Sequence, residues 1–385
     1  MESSKKKLNL LGVLIFLFLG MLNAGTQAVV NNLARAWGAT ESQMGLMIST
    51  FYGGSVFVAV FLGELSERVG KRYGLCAATV SLMAGSLLIL MSPHFYMLLA
   101  GLLLCGFAFG GMESLTLSLL EDVNASKARK VFGVTEITLG LGGVLAPILI
   151  SWGLKSDAYK PMYLILLMVG AALTFSFLRL SSIDSFAKKQ EKRPSLSILQ
   201  TLKNKALRRS MIAVFLFLGV ESTVTCWTVT LMANQGFEKI GNIGISAYWL
   251  AFMICPYLST KVKNYFRWFP FCFALGGLGL LALVFAPWGW AKLLAMIFTG
   301  IMISPAFANL MFIGGHSVRE NSAAGYSMMV FGGNLGSILF QPGAARIVEF
   351  FSVEALYLAL AMGCLVNGIV IFSCVRAYQA EKLPV

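Results

Sequence analysis

The sequence predicts an all-α membrane protein: twelve transmembrane helices in two six-helix, pseudo-symmetric halves. Three observations predict it. First, 57% of the 385 residues are hydrophobic and 12% are charged, with a mean hydropathy of +0.77, against about 25% charged in soluble domains. So few polar side chains cannot cover a water-facing surface, and lipid must be the solvent for most of the chain. Second, the apolar residues gather in continuous runs of about 20 residues, the length that crosses a bilayer as a helix; an alternating β-barrel pattern is excluded. Third, Lys and Arg fall on one side of those runs. The composition argues against a cytosolic enzyme, a nucleic-acid-binding domain and a disordered chain.

The runs cover 10–33, 43–66, 73–92, 96–119, 129–152 and 159–179, then 209–232, 240–260, 268–287, 290–314, 321–345 and 352–376. Turn chemistry separates them at Ser92-Pro93-His94, at Asp157 to Pro161, and at Ala286-Pro287-Trp288-Gly289. The first run follows Lys5-Lys6-Lys7, but it is too long for a signal peptide and lacks a small-residue cleavage site, so it reads as a retained helix. With the N-terminus inside, 24 of the 30 Lys and Arg share its side; the others are Arg35, Lys155, Lys160, Lys239, Lys292 and Arg346. That bias places both termini in the cytoplasm and requires an even number of spans. It also accounts for the net charge of +13 without nucleic acid. The longest polar stretch, 180–208, reads as a cytoplasmic linker between an N-terminal half (1–179) and a C-terminal half (209–385). This six-plus-six plan is that of secondary transporters built from repeats, with the solute site near the midplane between them. The seven cysteines lie in or beside apolar runs without paired spacing. They read as small buried hydrophobes, and no metal site is expected.

Among seventeen acidic residues, Glu113, Glu136 and Glu221 lie well inside spans, and no Lys or Arg lies mid-span. A carboxylate at membrane depth is expensive and faces a cavity or a partner; binding a proton removes the cost. A carboxyl that is protonated in one facing state and released in the other is the minimal part for proton coupling. The competing reading of each is a structural hydrogen bond to a neighbouring helix. Asn23 and Gln27, four apart, share a face of span one; Asn334 and Gln341, seven apart, share a face of span eleven; Asn309 lies in span ten. Such amides both donate and accept, which suits hydroxyl-rich ligands. Trp227 offers a flat face for a sugar ring, whereas Trp249 is expected to pack. His94 and His316 are placed in loops on opposite sides and are not expected to relay protons.

The loop after span two reads Gly63-Glu64-Leu65-Ser66-Glu67-Arg68-Val69-Gly70-Lys71-Arg72. It resembles the signature of the major facilitator superfamily, in the place where that family carries it, with Glu67 where the family usually has Asp. The resemblance implies a cytoplasmic gate of Gly63, Glu67, Arg68, Gly70, Lys71 and Arg72, with a charge network against the other half. Glu136, nearer the cytoplasmic end, is assigned to packing or to that gate. Span five (Gly133, Gly140, Gly142, Gly143, Pro147) and span eleven (Gly325, Gly332, Gly333, Gly336, Pro342, Gly343) occupy equivalent places in the two halves. Their shared glycine and proline content suggests an internal repeat with bending helices.

Phe217-Leu218-Gly219-Val220-Glu221 followed by Trp227, the glycine-rich stretch before Glu113, and Ser304-Pro305 in span ten are similar to the fucose-type sugar:proton symporter branch. That branch carries an Asp in its first helix, where this chain has Asn23 and Gln27 and no acid. The resemblance implies spans one, four, seven and ten around a central cavity. The expected substrate contacts are Asn23, Gln27, Glu113, Glu221, Trp227, Asn309, Asn334 and Gln341. Glu113 and Glu221 are the expected proton-coupling residues. The function implied is secondary active transport of a small polar solute, a sugar or polyol, by alternating access. No cofactor is expected, and the proton is the coupling ion; no phosphate-binding loop points to ATP. A proton-coupled exporter of cationic amphiphiles and a non-transporting sensor remain alternatives. The expected protein is a multi-pass monomer in the inner membrane of a bacterium, with the lipid bilayer and the solute as its partners and no nucleic acid. Single cysteines placed between 180 and 208 should react with an impermeant thiol reagent only from the cytoplasmic side. Labelling from outside would overturn the assignment.

Overall fold

A computed structural model describes residues 2–37, 41–124, 127–152, 159–180, 201–318 and 322–380. For Gln27, Gly63, Glu67 and Arg68 only the helical backbone is described, and the predicted linker lies mostly outside the described residues. The described chain is helical: α1 (Glu2–Trp37), α2 (Glu41–Val69), α3 (Lys71–Met91), α4 (Phe95–Asn124), α5 (Ala128–Trp152), α6 (Lys160–Arg179), α7 (Lys205–Asn234), α8 (Glu238–Ser259), α9 (Tyr265–Phe285), α10 (Gly289–Ile303), α11 (Ala306–His316), α12 (Ser322–Phe350) and α13 (Val353–Ala380). Helices α10 and α11 together make the tenth span, so α12 is the eleventh and α13 the twelfth. Eight stretches among the described residues are long and apolar enough to cross a membrane, and Leu46–Val58 and Ile243–Ser259 are shorter apolar pieces. Large side chains such as Phe57, Phe285 and Ile369 are exposed on the outside. A surface of this kind belongs in lipid, where only helices and closed barrels satisfy their own backbone.

The tenth span breaks at Ser304-Pro305 because proline has no N–H to give and its ring clashes with the preceding turn. Asn309 braces the break: its amide donates to the Pro305 carbonyl (2.6 Å) and to Ser259 Oγ in α8 (3.1 Å).

Spans one to six pack mainly on one another, as do spans seven to twelve. Glycine sets the closest approaches. A methyl group at Gly142 of α5 would overlap the Leu17 carbonyl of α1, and one at Gly336 of α12 would overlap the Phe215 carbonyl of α7. Spans five and eleven therefore pack on spans one and seven in the same way. Between the halves α5 meets α8, and α12 meets α2. At Gly140 an added methyl would lie 2.7 Å from the Met253 Cα atom, so this seam brings backbones nearly into contact.

The turn between α2 and α3 needs Gly70, whose φ of 107° excludes most side chains. The two bases after it point in an unexpected direction. Lys71 is buried and its ammonium meets Asp122 at the end of α4 at 2.5 Å. Arg72 donates from Nε to the Phe177 carbonyl (2.7 Å), and its guanidinium also reaches the Leu178 carbonyl, both at the end of α6. The expectation was a network against the other half; these described contacts fasten α3, α4 and α6 of the same half. Geometry explains this, because the orphan carbonyls ending α6 are the nearest acceptors to the start of α3.

Two outcomes follow from this packing. Gly336→Leu should lower the unfolding temperature in detergent, with overpacking costing about 1–3 kcal/mol, while Gly343→Ala, with open space around it, should leave that temperature unchanged or slightly raised. Lys71→Met strands the Asp122 carboxylate in a buried place and should cost about 3 kcal/mol; adding Asp122→Leu should recover most of the loss in the same melt.

Candidate functional site

A cleft at mid-depth between the halves is lined by Asn23, Tyr52, Phe109, Glu113, Glu136 and Leu139 from the first half. Phe217, Leu218, Glu221, Trp249, Phe252, Phe307 and Asn334 line it from the second. Helical spacing puts the side chains there. Phe109 and Glu113 are four apart on α4, and Phe217 and Glu221 are four apart on α7, so each helix presents one ring and one carboxyl on the same face.

All three glutamates are buried, and the lining contains no Lys, Arg or His among the described residues. Oε1 of Glu221 is a buried oxygen without a hydrogen-bond partner among the described residues. Asn23 accepts a hydrogen bond from the Tyr52 hydroxyl at 2.9 Å. Asn334 donates to Ser55 Oγ at 2.6 Å and so ties α12 to α2 across the seam. Six lining residues are aromatic. Phe252 packs against Phe217 and Trp249 with ring centroids 6.2 Å and 5.5 Å apart, and Phe217 against Phe307 at 6.2 Å. One wall is thus largely aromatic, with carboxyls and amides set into and opposite it.

The expected residues divide. Asn23, Glu113, Glu221 and Asn334 meet in the cleft. Glu136 joins them, which corrects its assignment to the gate. It lies three and four residues from Gly133 and Gly140, both of which face α8, and that spacing marks its face as the inter-half one. Trp227 is half-buried against the core outside the lining, whereas Trp249, expected to pack, lines the cleft over Gly143 of α5. Asn309 is occupied with the proline break, and Gln341 reaches the Cys226 sulfur at 3.7 Å outside the lining. The Gln27 side chain lies outside the described residues. Sequence reasoning missed the aromatic wall, whose only signal was the repeated Phe–Glu spacing of four.

The seam runs from the cleft to the end of the bundle that carries the termini. Gly133 of α5 lies against Tyr257 of α8 and Thr260 just beyond its end. Phe132 meets Tyr326 and Phe312 edge-on at 5.6 and 6.4 Å. His316 ends α11, buried rather than in a loop, with Nδ1 2.8 Å from Glu121 Oε1. That end is closed in this structure.

A family profile described as Major Facilitator Superfamily matches residues 11–341. The chain is 23% identical over 258 residues to the glucose/mannose transporter GlcP of Bacillus subtilis, covering 64% of this chain and 63% of that one. It is 26% identical over 291 residues to the purine ribonucleoside efflux pump NepI of Escherichia coli, covering 72% and 69%. It spans 28% of the length of svop-1 of Caenorhabditis elegans. The crystal structure of the transporter FucP in the outward conformation superposes with a TM-score of 0.78 at 15% identity, over 97% of this chain and 99% of that one. An all-helical bundle of membrane-length spans around a central cleft, matched by the profile over most of its length, places this chain in the major facilitator superfamily of membrane transporters.

Proposed function

We propose that the protein is a proton-coupled secondary transporter that carries a small polar solute, a sugar or polyol, through the cleft between its halves. The observation that carries this reading is the lining: three carboxyls and two amides, with no basic residue among the described ones. An anionic solute would meet three carboxyls and no described cation there, whereas a neutral one finds donors and acceptors in Asn23, Asn334 and the Tyr52 hydroxyl without that repulsion. The Glu221 oxygen without a partner among the described residues is available to a solute hydroxyl or a proton. The names of GlcP and of the Escherichia coli fucose:proton symporter FucP point the same way for those proteins.

With the termini in the cytoplasm, the closed end is the inner one, and solute enters from outside. Ionised carboxylates crowded into a dry cleft without a cation face a large desolvation cost. Each of the three glutamates therefore holds a proton in at least one facing state. Glu113 is proposed as the coupling residue and Glu221 as a solute contact, with Glu136 as a second acid beside Glu113. Rocking of the halves would then expose the cleft inward, where solute and proton leave. The inner membrane of a bacterium is the proposed site of action.

The aromatic wall favours a second reading, export of an organic cation held over the rings and balanced by the same carboxyls. A thermal-shift panel of sugars, polyols, nucleosides and amines separates the two, because a ligand raises the melt only if it binds the folded state. A shift with amines alone would replace the sugar reading, and ethidium retention in cells would check it.

In proteoliposomes loaded with the solute identified, Glu113→Gln should abolish uphill accumulation and keep equilibrium exchange. Glu221→Gln should weaken binding by about 1.5–3 kcal/mol. Undiminished accumulation by both single variants and by their double variant would remove carboxyl coupling.

A further inference from the structure

We propose that Glu121 and His316 form the interlock that holds the two halves together at the terminus-bearing end, and that Tyr326 positions the Glu121 carboxylate for it. The three residues would then set the balance between the two facing states. The inference rests on the transporter family and the seam, and not on the solute or on proton coupling.

Glu121 lies one turn from the end of α4 in the first half; His316 is the last residue of α11 in the second. Their side chains meet at 2.8 Å, and each is about nine-tenths buried. The imidazole stacks on Phe312 with centroids 5.0 Å apart at 15°, and the Tyr378 ring lies 6.3 Å away. Phe312 and Tyr326 both receive the edge of Phe132 from the first half. The polar contact is thus ringed by aromatic packing that crosses the seam with it.

Tyr326 is fully buried, and its hydroxyl lies beside Glu121. That hydroxyl and Oε2 of Glu121 are each buried without a hydrogen-bond partner among the described residues, so the two stand side by side with opposite capacities that a small turn of either side chain would pair. Gly315 makes the placement possible, since a methyl group there would overlap the Tyr326 ring. The charges next to Glu121 are accounted for: Asp122 turns to Lys71 within its own half at 2.5 Å. Glu121 is left to face the other half.

Rocking the halves apart at this end must separate Glu121 from His316 and admit water to both. Loss of one partner therefore acts on one state. In the closed state it strands a buried polar group, which is costly; in the open state the same group is hydrated. A contact that differs between two states is what shifts their populations. The signature-loop bases Lys71 and Arg72 lack this property in their described contacts, which stay within one half.

The test uses the full-length protein with spin labels on cysteines replacing Lys127 and Lys263, exposed residues at this end of opposite halves, and electron–electron distance measurement in lipid nanodiscs. His316→Ala and Glu121→Gln should each move population from the short to the long distance by at least about tenfold. Tyr326→Phe should shift it less, in the same direction. The exchanged variant Glu121→His with His316→Glu should return to the short distance. Should either single variant fold poorly, His316→Gln, which keeps a hydrogen-bonding side chain but not the stacked imidazole, is read in its place with the same expected direction. Single variants that fold and keep the parent distance distribution would overturn the interlock. So would an exchanged variant that stays as open as the single ones.

Discussion

The hydrocarbon interior tolerates no polar group without a partner, and the arrangement of this molecule follows from that constraint. Backbone groups are satisfied inside each helix, so the spans are helical. Side-chain polar groups have fewer choices. They bond back to their own helix, as Thr26 does to the Leu22 carbonyl, or they reach across to another helix, or they collect in a cleft. The described polar contacts across the seam are of the second kind, Ser55 with Asn334 at mid-depth and Glu121 with His316 at the terminus-bearing end. The cleft holds the rest.

Small residues decide where helices touch closely enough for those contacts to form. Span five is glycine on two faces: Gly142 lies against α1 of its own half, while Gly133, Gly140 and Gly143 lie against α8 of the other. Span eleven repeats the first arrangement through Gly336 and α7, and meets the other half through Asn334 rather than a run of glycines. The two seams are therefore related but chemically unequal. The α5–α8 seam is a close apolar approach, and the α2–α12 seam carries a hydrogen bond. Relative motion of the halves strains these two seams differently.

The cleft combines features that serve different solutes. Carboxyls and amides suit hydroxyl groups, and the aromatic wall suits flat or cationic ones. Among the described residues the lining holds no base, which sets this cleft apart from one built for anions.

The span positions, the basic side and Glu113 and Glu221 as buried acids of opposite halves were legible from the residues alone. Hydropathy and charge are one-dimensional properties, and the bilayer projects them directly onto depth. Depth along a helix does not give azimuth, and there the tertiary structure decided. Glu136 was read as a gate residue because its depth was known but its face was not; the glycines three and four residues away turn that face toward the other half. Trp249 lines the cleft and Trp227 does not, the reverse of the expectation, for the same reason. Lys71 and Arg72 carry the family signature, yet their partners are Asp122 and the carbonyls ending α6, which only the packing of α3 between α4 and α6 brings near. His316 was read as a loop residue. Glu121 lies 195 positions earlier in the chain, and no local pattern records a contact between the two halves.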